Sequence, residues 1–346
     1  MTIDKTRFGS FWNSTVNCYT LRNRGGITLN VIDYGAIIQA LEVPGRRDAA
    51  DIVLGFDTLY GYLKGHPFFG AVAGRVANRI PDGRFTIDGQ NYQLEVNAPF
   101  NNHLHGGVRG FDKYVWQSTA FEEDDIMFVR LQRTSPDGEE GYPGRLDTTI
   151  TYGLSEDNTL HFDVTATTSR PTIVNIVQHA YFNLAGHDNG NVCGHELTIH
   201  ADAITPTDER LVPTGEIMAV ADTPFDFRQP RLLAPAMEKT EGVFDVNYVL
   251  SKPLNEMKPC AKLYDPGSGR SMKIATNMPG VQFYNGHKIS QQLQIGKNGC
   301  RYPAWAGLCL ETQAFPNAVN IANFPSVVVR PGDVYRHQTS YAFDVE

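Results

Sequence analysis

The chain of 346 residues lacks the features that mark several large classes of protein. It has no run of 18 apolar residues, which a membrane-spanning helix requires, and it does not start with a basic stretch followed by an apolar one, as a secretory signal does. Lysine and arginine form no cluster and the formal net charge is -8, so nucleic acid and membranes are not expected as partners. A cytoplasmic protein that binds a small neutral or cationic molecule is the simplest expectation.

Cysteine is scarce, and common catalytic motifs are missing. The five cysteines are odd in number, widely spaced and never in a C-x-x-C pair, so we expect reduced thiols rather than a disulfide framework or a zinc knuckle. The motifs G-x-G-x-x-G, G-x-x-x-x-G-K-[ST], G-x-S-x-G and H-E-x-x-H are all absent. These absences argue against a nucleotide-binding protein, a serine hydrolase and a zinc protease.

Long helical patterns are also missing, and apolar residues instead alternate as they do in β-strands. The best helix candidate, residues 231–239, is short and contains Pro235. Between Leu160 and Ala166 every second residue is apolar, which predicts a strand with one buried face. Residues 27–43 predict two strands broken at Tyr34-Gly35. Asp-Gly pairs at positions 82, 88 and 137 are typical of hairpin turns.

Glycine and proline are spread evenly, and no shift in composition marks a domain boundary. We therefore expect one all-β domain over residues 1–346, a large antiparallel β-sandwich with few short helices.

Three ionisable residues stand in apolar surroundings, where burial would shift their pKa values. His179 lies within residues 172–184, and its alternatives are a proton-transferring imidazole and a hydrogen-bonded core histidine. Glu311 is either a salt-bridged structural group or a tuned base, because a buried carboxylate is costly unless it is paired. Asp245 presents the same choice.

Other polar residues are candidates for hydrogen bonding to a ligand. Asn78 and Arg79 follow a Gly-rich segment and otherwise fit a surface strand. His105 is followed by two glycines that allow close approach of a ligand, although a surface loop without function is an equal alternative. The H-x-H spacing with His103 leaves a metal site open. Gln282 adds a neutral amide.

Aromatic rings at Phe100, Tyr181 and Phe315 could stack on a sugar. The whole set therefore holds a candidate acid, a candidate base and several hydrogen-bonding groups. It contains no nucleophile, metal cluster or phosphate-binding loop.

Six blocks of this sequence resemble the galactose mutarotase (aldose 1-epimerase) family, in the family's order, within Gly26 to Phe343. They are Gly74 to Ile80, Leu104 to Trp116, His179 to Leu184, Pro213 to Glu216, Pro279 to Tyr284 and Leu310 to Gln313. The resemblance implies a single antiparallel β-sandwich with a carbohydrate cleft, in which Glu311 is the general base and His179 the general acid. It also implies that the sugar is bound by Asn78, Arg79, His105, Asp245 and Gln282.

Two short segments depart from the family pattern. Gln178-His179-Ala180 stands where many members have Asn-His-Ser, and Tyr284-Asn285-Gly286 stands where they have Tyr-Thr-Gly. Both lie beside the expected cleft, so they bear on the preferred sugar more than on the chemistry.

The resemblance predicts that the chain interconverts the α and β anomers of a free aldose such as glucose or galactose, with a monosaccharide as partner and with neither metal nor cofactor. Glu311 would accept the anomeric proton while His179 protonates the ring oxygen. The pH profile would then have an acidic limb from the carboxylate and an alkaline limb from the imidazole.

Two alternatives stay open: a non-catalytic carbohydrate-binding or sensing protein, and an epimerase of sugar phosphates. The second would need basic residues at the cleft, for which Arg75 and Arg109 are the nearest candidates. The sequence gives no indication of the oligomeric state.

Overall fold

The computed structural model describes residues 1–65, 67–292 and 294–346. Its strands are, in chain order, β1 (Thr2–Phe11), β2 (Ser14–Arg22), β3 (Thr28–Ile32), β4 (Ile37–Val43), β5 (Ala50–Asp51), β6 (Ala71–Ala73), β7 (Arg79–Pro81), β8 (Arg84–Ile87), β9 (Gln90–Gln93), β10 (Asn102–Leu104), β11 (Gln117–Glu123), β12 (Ile126–Ser135), β13 (Leu146–Ser155), β14 (Thr159–Thr168), β15 (Thr172–Ile173), β16 (Val177–His179), β17 (Glu196–Ile199), β18 (Ala201–Thr205), β19 (Met218–Ala219), β20 (Arg231–Leu232), β21 (Asp245–Leu250), β22 (Lys258–Tyr264), β23 (Arg270–Thr276), β24 (Gly280–Tyr284), β25 (Cys309–Gln313), β26 (Val328–Val329) and β27 (Tyr335–Val345).

The helices are few and short. Two are α-helices, α1 (Leu59–Leu63) and α2 (Leu233–Glu238). Single 3₁₀ turns lie at Pro99–Asn101, Phe111–Lys113, Glu139–Gly141, Ile289–Gln291, Lys297–Gly299 and Ala318–Asn320. None of the helices in the described ranges has the length and apolarity that a membrane crossing requires.

Three antiparallel sheets make up most of the fold. The largest has nine strands in the order β11-β12-β13-β14-β27-β23-β22-β17-β20. One five-stranded sheet runs β1-β2-β3-β4-β5, and the other runs β19-β18-β21-β24-β25. Two-stranded pairs, β10-β7, β16-β6, β15-β26 and β8-β9, complete the architecture.

The apolar faces of these sheets share one core. A single cluster of buried side chains includes Leu29 from one five-stranded sheet, Phe283 from the other and Phe162 from the nine-stranded sheet. Strands account for 46% of the chain and helices for 8%, so the predicted antiparallel β-sandwich with few short helices is confirmed.

The predicted alternation is visible in β14. Leu160, Phe162 and Val164 are buried, whereas the residues between them are partly exposed. The two strands predicted within residues 27–43 are β3 and β4, and the structure shows that they pair with each other. Apolar residues also alternate over residues 197–201, which predicts one strand, but the chain is divided at His200, where it leaves β17 for β18 in another sheet.

Strand β25 contacts the nine-stranded sheet through the side chain of Thr312. The Thr312 hydroxyl lies 2.8 Å from His337 Nε2 and 2.6 Å from the Thr339 hydroxyl, and both partners belong to β27. All three side chains are buried. Because successive residues of a strand face opposite sides, Glu311 and Gln313 point away from this contact.

Arg75 is a buried structural residue, with 1% of its surface exposed. Its guanidinium donates to the Ser135 hydroxyl at 2.8 Å and to the Ser135 and Pro136 carbonyls at 3.0 and 2.8 Å. It also donates to the carbonyls of Pro143 and Gly144 at 3.1 and 2.8 Å. Burial lowers the pKa of Arg75 to about 10, so the group stays charged at neutral pH. One side chain thus joins β12 to the loop that precedes β13.

We expect Arg75→Lys to lower the free energy of unfolding by at least about 2 kcal/mol, because an ammonium group cannot span five acceptors and a lost hydrogen bond to a charged group costs about 1.5–3 kcal/mol. Urea unfolding measures the change. The control is Arg145→Lys on the surface, where the loss should stay below about 0.5 kcal/mol. Equal stabilities of the two variants would contradict this role of Arg75.

Candidate active site

One cleft of about 230 Å³ is lined by all seven predicted site residues: Asn78, Arg79, His105, His179, Asp245, Gln282 and Glu311. Its volume lies below the range of about 300–1,000 Å³ typical of pockets for drug-sized ligands. The cleft therefore suits one small ring better than an oligosaccharide.

Three neighbouring strands carry the acidic and amide groups of the cleft. Glu311 on β25 lies opposite Gln282 on β24, which in turn lies opposite Asn247 on β21. Asp245 is two residues before Asn247, so it lies diagonally across from Gln282 on the same face. The strand register therefore aims all four side chains toward one side of the sheet.

The Glu311 carboxyl is almost completely buried, with 3% of its residue surface exposed. Its Oε1 lies 3.6 Å from Nε2 of His179. Its Oε2 has no hydrogen-bond partner within the described part of the chain. Burial raises the pKa of Glu311 well above its usual range, the Asp245 charge raises it further, and Arg79 lowers it. Such a carboxyl is kept protonated to a higher pH than one on the surface.

The imidazole of His179 is equally enclosed. It stands at the end of β16, which pairs with β6, and its ring centroid lies 5.2 Å from that of Tyr181. Burial lowers the pKa of His179 to about 4, although a hydrogen bond to its own backbone carbonyl and the Asp245 charge oppose the shift. Both members of the pair therefore favour their neutral forms.

Asp245 joins the charged and amide groups of the cleft. Gln282 donates its amide to Asp245 Oδ1 at 2.7 Å, and Arg79 Nη2 lies 3.6 Å from Oδ2. The Arg79 guanidinium also donates to the Asn78 side-chain oxygen at 3.4 Å. These contacts keep the ends of Asp245 and Arg79 in the cleft, where both can bind hydroxyl groups.

A second layer of amides, which we did not predict from the sequence, orients Gln282. The Gln313 side chain donates to Gln282 Oε1 at 3.1 Å and to Asn247 Oδ1 at 3.0 Å. Asn247 donates to the Thr205 hydroxyl at 3.3 Å. The sequence spacing could have predicted this layer. Asn247 follows Asp245 by two positions, and Gln313 follows Glu311 by two positions, so each shares a strand face with a site residue.

His105 presents one defined tautomer to the cleft. The Asn78 backbone N–H donates to His105 Nδ1 at 3.2 Å, so in the neutral ring the proton is on Nε2. Burial lowers the pKa of His105 well below its usual value, and His179 and Arg79 lower it further. Both Asn78 and His105 have positive φ, 64° and 51°, as residues at constrained functional sites often do. His105 is therefore a neutral hydrogen-bond donor.

His103 does not face the cleft, and the H-x-H pair does not form a metal site. Its Nδ1 donates to the Glu95 carbonyl at 2.6 Å, and its Nε2 accepts from the Tyr142 hydroxyl at 2.5 Å. Among the described residues, the one group with metal-ligand character is instead His179, Cys309 and Glu311, whose ligand atoms lie within 4.8 Å of one another. The expectation of a reaction without metal or cofactor stays a prediction.

One of the three predicted aromatic walls is present. Tyr181 lines the cleft, whereas Phe100 is 58% exposed outside it and Phe315 is buried in a separate apolar cluster. Phe68 and Tyr284 line the cleft without having been predicted. The Phe68 ring centroid lies 4.6 Å from that of His105 and 5.6 Å from that of His179.

The two arginines considered for a phosphate lie away from the cleft lining. Arg75 donates its hydrogen bonds to the carbonyls described above. The guanidinium carbon of the exposed Arg109 lies 4.3 Å from the centroid of the Tyr114 ring. The exposed Lys288 does line the cleft, and it was missed because a lysine in a loop has no pattern that separates it from the surface.

We expect Asp245→Asn to lower the pKa of Glu311, because it removes the negative charge that raises this pKa and leaves Arg79 unpaired. A carboxyl ¹³C NMR titration of labelled glutamate measures the shift. The matched control, Asp4→Asn at an exposed site, should leave the Glu311 titration in place. An unchanged or raised pKa in Asp245→Asn would contradict the electrostatic coupling.

Comparisons with known proteins find relatives over nearly the whole chain. The family model of aldose 1-epimerase matches residues 17–342. A galactose mutarotase of Sus scrofa is 46% identical over 321 residues, which cover 92% of each chain. An aldose 1-epimerase of Escherichia coli K12 is 33% identical over 336 residues, covering 94% of this chain and 95% of its own.

Solved structures show the same fold. A homologue of aldose epimerase from C. elegans superposes with a TM-score of 0.86 and 30% identity, covering 94% of this chain and 98% of its own. The galactose 1-epimerase of Lactobacillus acidophilus NCFM gives a TM-score of 0.85 and 25% identity, covering 99% of each chain. On the match over nearly its whole length, the chain belongs to the aldose 1-epimerase family.

Proposed function

We propose that this protein is a mutarotase that interconverts the α and β anomers of a free aldose, with Glu311 and His179 as the proton-transferring pair. One observation carries the proposal: Glu311 Oε1 and His179 Nε2 face each other at 3.6 Å in a cleft otherwise lined by hydroxyl-binding groups. Opening and closing a sugar ring requires proton transfer at two oxygen atoms, and the pair supplies one group for each.

The pKa shifts describe the resting state of this pair. With the pKa of Glu311 raised and that of His179 lowered to about 4, the carboxyl is protonated and the imidazole neutral over the range between the two values. Moving the shared proton from Oε1 to Nε2 gives a carboxylate and an imidazolium without changing the proton count. Both roles are therefore available at one protonation level.

Ring opening uses the ionic form. The Glu311 carboxylate takes the proton of the anomeric hydroxyl, the electrons of that O–H bond form the C1 carbonyl, and the bond from C1 to the ring oxygen breaks. His179 gives its Nε2 proton to the ring oxygen as this bond breaks. The products are an open aldehyde, a protonated Glu311 and a neutral His179, which is the state that burial favours in the free protein.

Ring closure reverses the roles. After rotation about the C1–C2 bond, His179 takes the proton of the C5 hydroxyl while this oxygen attacks the other face of the carbonyl. Glu311 returns its proton to the new anomeric oxygen. Meanwhile Arg79, His105 and Asp245 hold the other hydroxyls, which keeps the remainder of the sugar still while C1 turns.

Two other functions fit parts of the site. A non-catalytic sugar-binding protein would have no need for a buried carboxyl facing an imidazole, so the pair favours an enzyme. A sugar-phosphate epimerase needs cations for the phosphate, and the predicted arginines do not line the cleft, which leaves Lys288 and Arg79. Polarimetry of freshly dissolved α-glucose and α-galactose against buffer, with phosphorylated sugars alongside, distinguishes all three.

We expect Glu311→Gln to lower kcat for mutarotation by at least about 10²-fold, because the amide can neither accept nor return the anomeric proton. Polarimetry measures kcat, and circular dichroism reports whether the fold is intact. Glu122→Gln, an exposed carboxyl on β11, is the control and should keep the full rate. Turnover near that of the wild type in Glu311→Gln would remove Glu311 from the role of base.

The pH profile should be bell-shaped, with its limbs assigned in the reverse order of the sequence-based expectation. Activity is lost as the pH falls below the pKa of His179, about 4 in the free enzyme. The imidazole then also takes up a proton, and no base is left in the pair. Activity is lost again above the raised pKa of Glu311, where the pair has no proton left to give. Measuring kcat/KM from pH 3 upward tests this order.

His179→Asn separates the two limbs. Its residual activity should rise through the pKa of Glu311 rather than fall, because the carboxylate then acts alone as base and no acid remains to be lost. The rate itself should drop by at least about 10²-fold. A variant that kept both the alkaline limb and most of the rate would identify His179 as a core histidine.

A further inference from the structure

The thiol of Cys309 contacts the imidazole of His179 at Nδ1, and the mechanism above does not use it. Cys309 comes two positions before Glu311 on β25, so both side chains emerge from the same strand face. The Cys309 Sγ lies 3.6 Å from Nδ1 of His179, and the cysteine is fully buried. The imidazole of His179 therefore contacts a thiol at Nδ1 and a carboxyl at Nε2.

The surroundings of Nδ1 favour a proton on that nitrogen. Sulfur is a weak acceptor, and its 3.6 Å contact with Nδ1 places it where a proton on that nitrogen would meet it. The thiol proton is a weak donor that costs little to leave unpaired. With Nδ1 protonated, Nε2 of the neutral ring is free to exchange a proton with Glu311.

We propose that Cys309 is a positioning residue that keeps the Nδ1–H tautomer of His179, so that every catalytic proton passes through Nε2. The inference rests on the proposed function and extends it to a third residue. Its logic is that of a catalytic base oriented by a partner on its other nitrogen. The step requires no redox chemistry: the Nδ1–H bond stays intact while a proton moves between Nε2, Glu311 and the sugar.

A thiol suits this task because it carries no charge. A carboxylate at Nδ1 would hold the imidazolium and raise the pKa of His179, which would trap the shared proton on the ring. A neutral sulfur orients the ring and leaves the proton free to return to Glu311 when the sugar opens. The proposal therefore explains why a polarisable side chain, rather than an acidic one, fits this position.

The test combines a tautomer measurement with kinetics. In ¹⁵N-histidine-labelled wild-type protein at pH 7, two-bond ¹H–¹⁵N correlation should show His179 as the Nδ1–H tautomer. Cys309→Ala should populate the Nε2–H tautomer and lower kcat by about 10-fold, the lower end of what such orienting partners contribute. KM should stay within about twofold, because the interactions that hold the sugar remain. Cys309→Ser keeps an acceptor and should restore both the tautomer and most of the rate.

Cys260→Ala is the matched control, since Cys260 is also fully buried but lies on β22 in the main core. Loss of packing alone would affect it as much as Cys309→Ala, without changing the His179 signals. An Nε2–H tautomer in the wild type, or wild-type kcat with an unchanged tautomer in Cys309→Ala, would overturn the proposal. If Cys309→Ala does not fold, the wild-type tautomer and the Cys309→Ser variant still decide. Absence of mutarotation in the wild type would instead refute the proposed function and leave the tautomer result readable.

Discussion

The burial of one carboxyl group against one imidazole is the constraint on which the rest of the site depends. An ionised carboxylate at this depth would be costly unless it were fully paired, so burial favours the neutral forms of both Glu311 and His179. Water in contact with the two groups would stabilise their ionic forms. Burial keeps this water away. The fold thus favours the neutral pair, and moving one proton from Glu311 to His179 gives the ionic form that the proposed reaction uses.

Most of the remaining polar groups in the cleft are neutral or paired with an opposite charge. Asp245 raises the pKa of Glu311 while Arg79 lowers it, and the two contact each other, so their influences partly cancel. His105 adds a donor without adding charge, because the Asn78 backbone occupies its other nitrogen. Gln282 and Gln313 are neutral amides, which orient the side chains they hydrogen-bond to without adding charge. Apart from Asp245, Arg79 and Lys288, the described groups that line the cleft around Glu311 and His179 are therefore neutral.

Much of the fold followed from local pattern, whereas the chemistry did not. Alternation identified strands such as β14 because a half-buried sheet forces a period of two. It failed at His200, where the chain changes sheets without changing its pattern. The site residues were assembled through a family resemblance, since nothing local distinguishes the buried, structural His103 from the cleft-lining His105 two positions later. The order of the titrating groups depends on burial, which is a property of the assembled tertiary structure.

The contact of Thr312 with the nine-stranded sheet has a consequence for how this molecule can change over evolutionary time. Alternate residues of β25 (Cys309, Glu311 and Gln313) share the strand face that carries the cleft carboxyl, and the residues between them face the sandwich interior. A single inserted residue would therefore exchange the two sets. Such a strand tolerates neither lengthening nor slippage. The loops that carry Phe68 and Lys288 are under no such constraint of register. New sugar preferences can therefore arise at the rim of the cleft by loop variation, while the strand that carries the carboxyl stays unaltered.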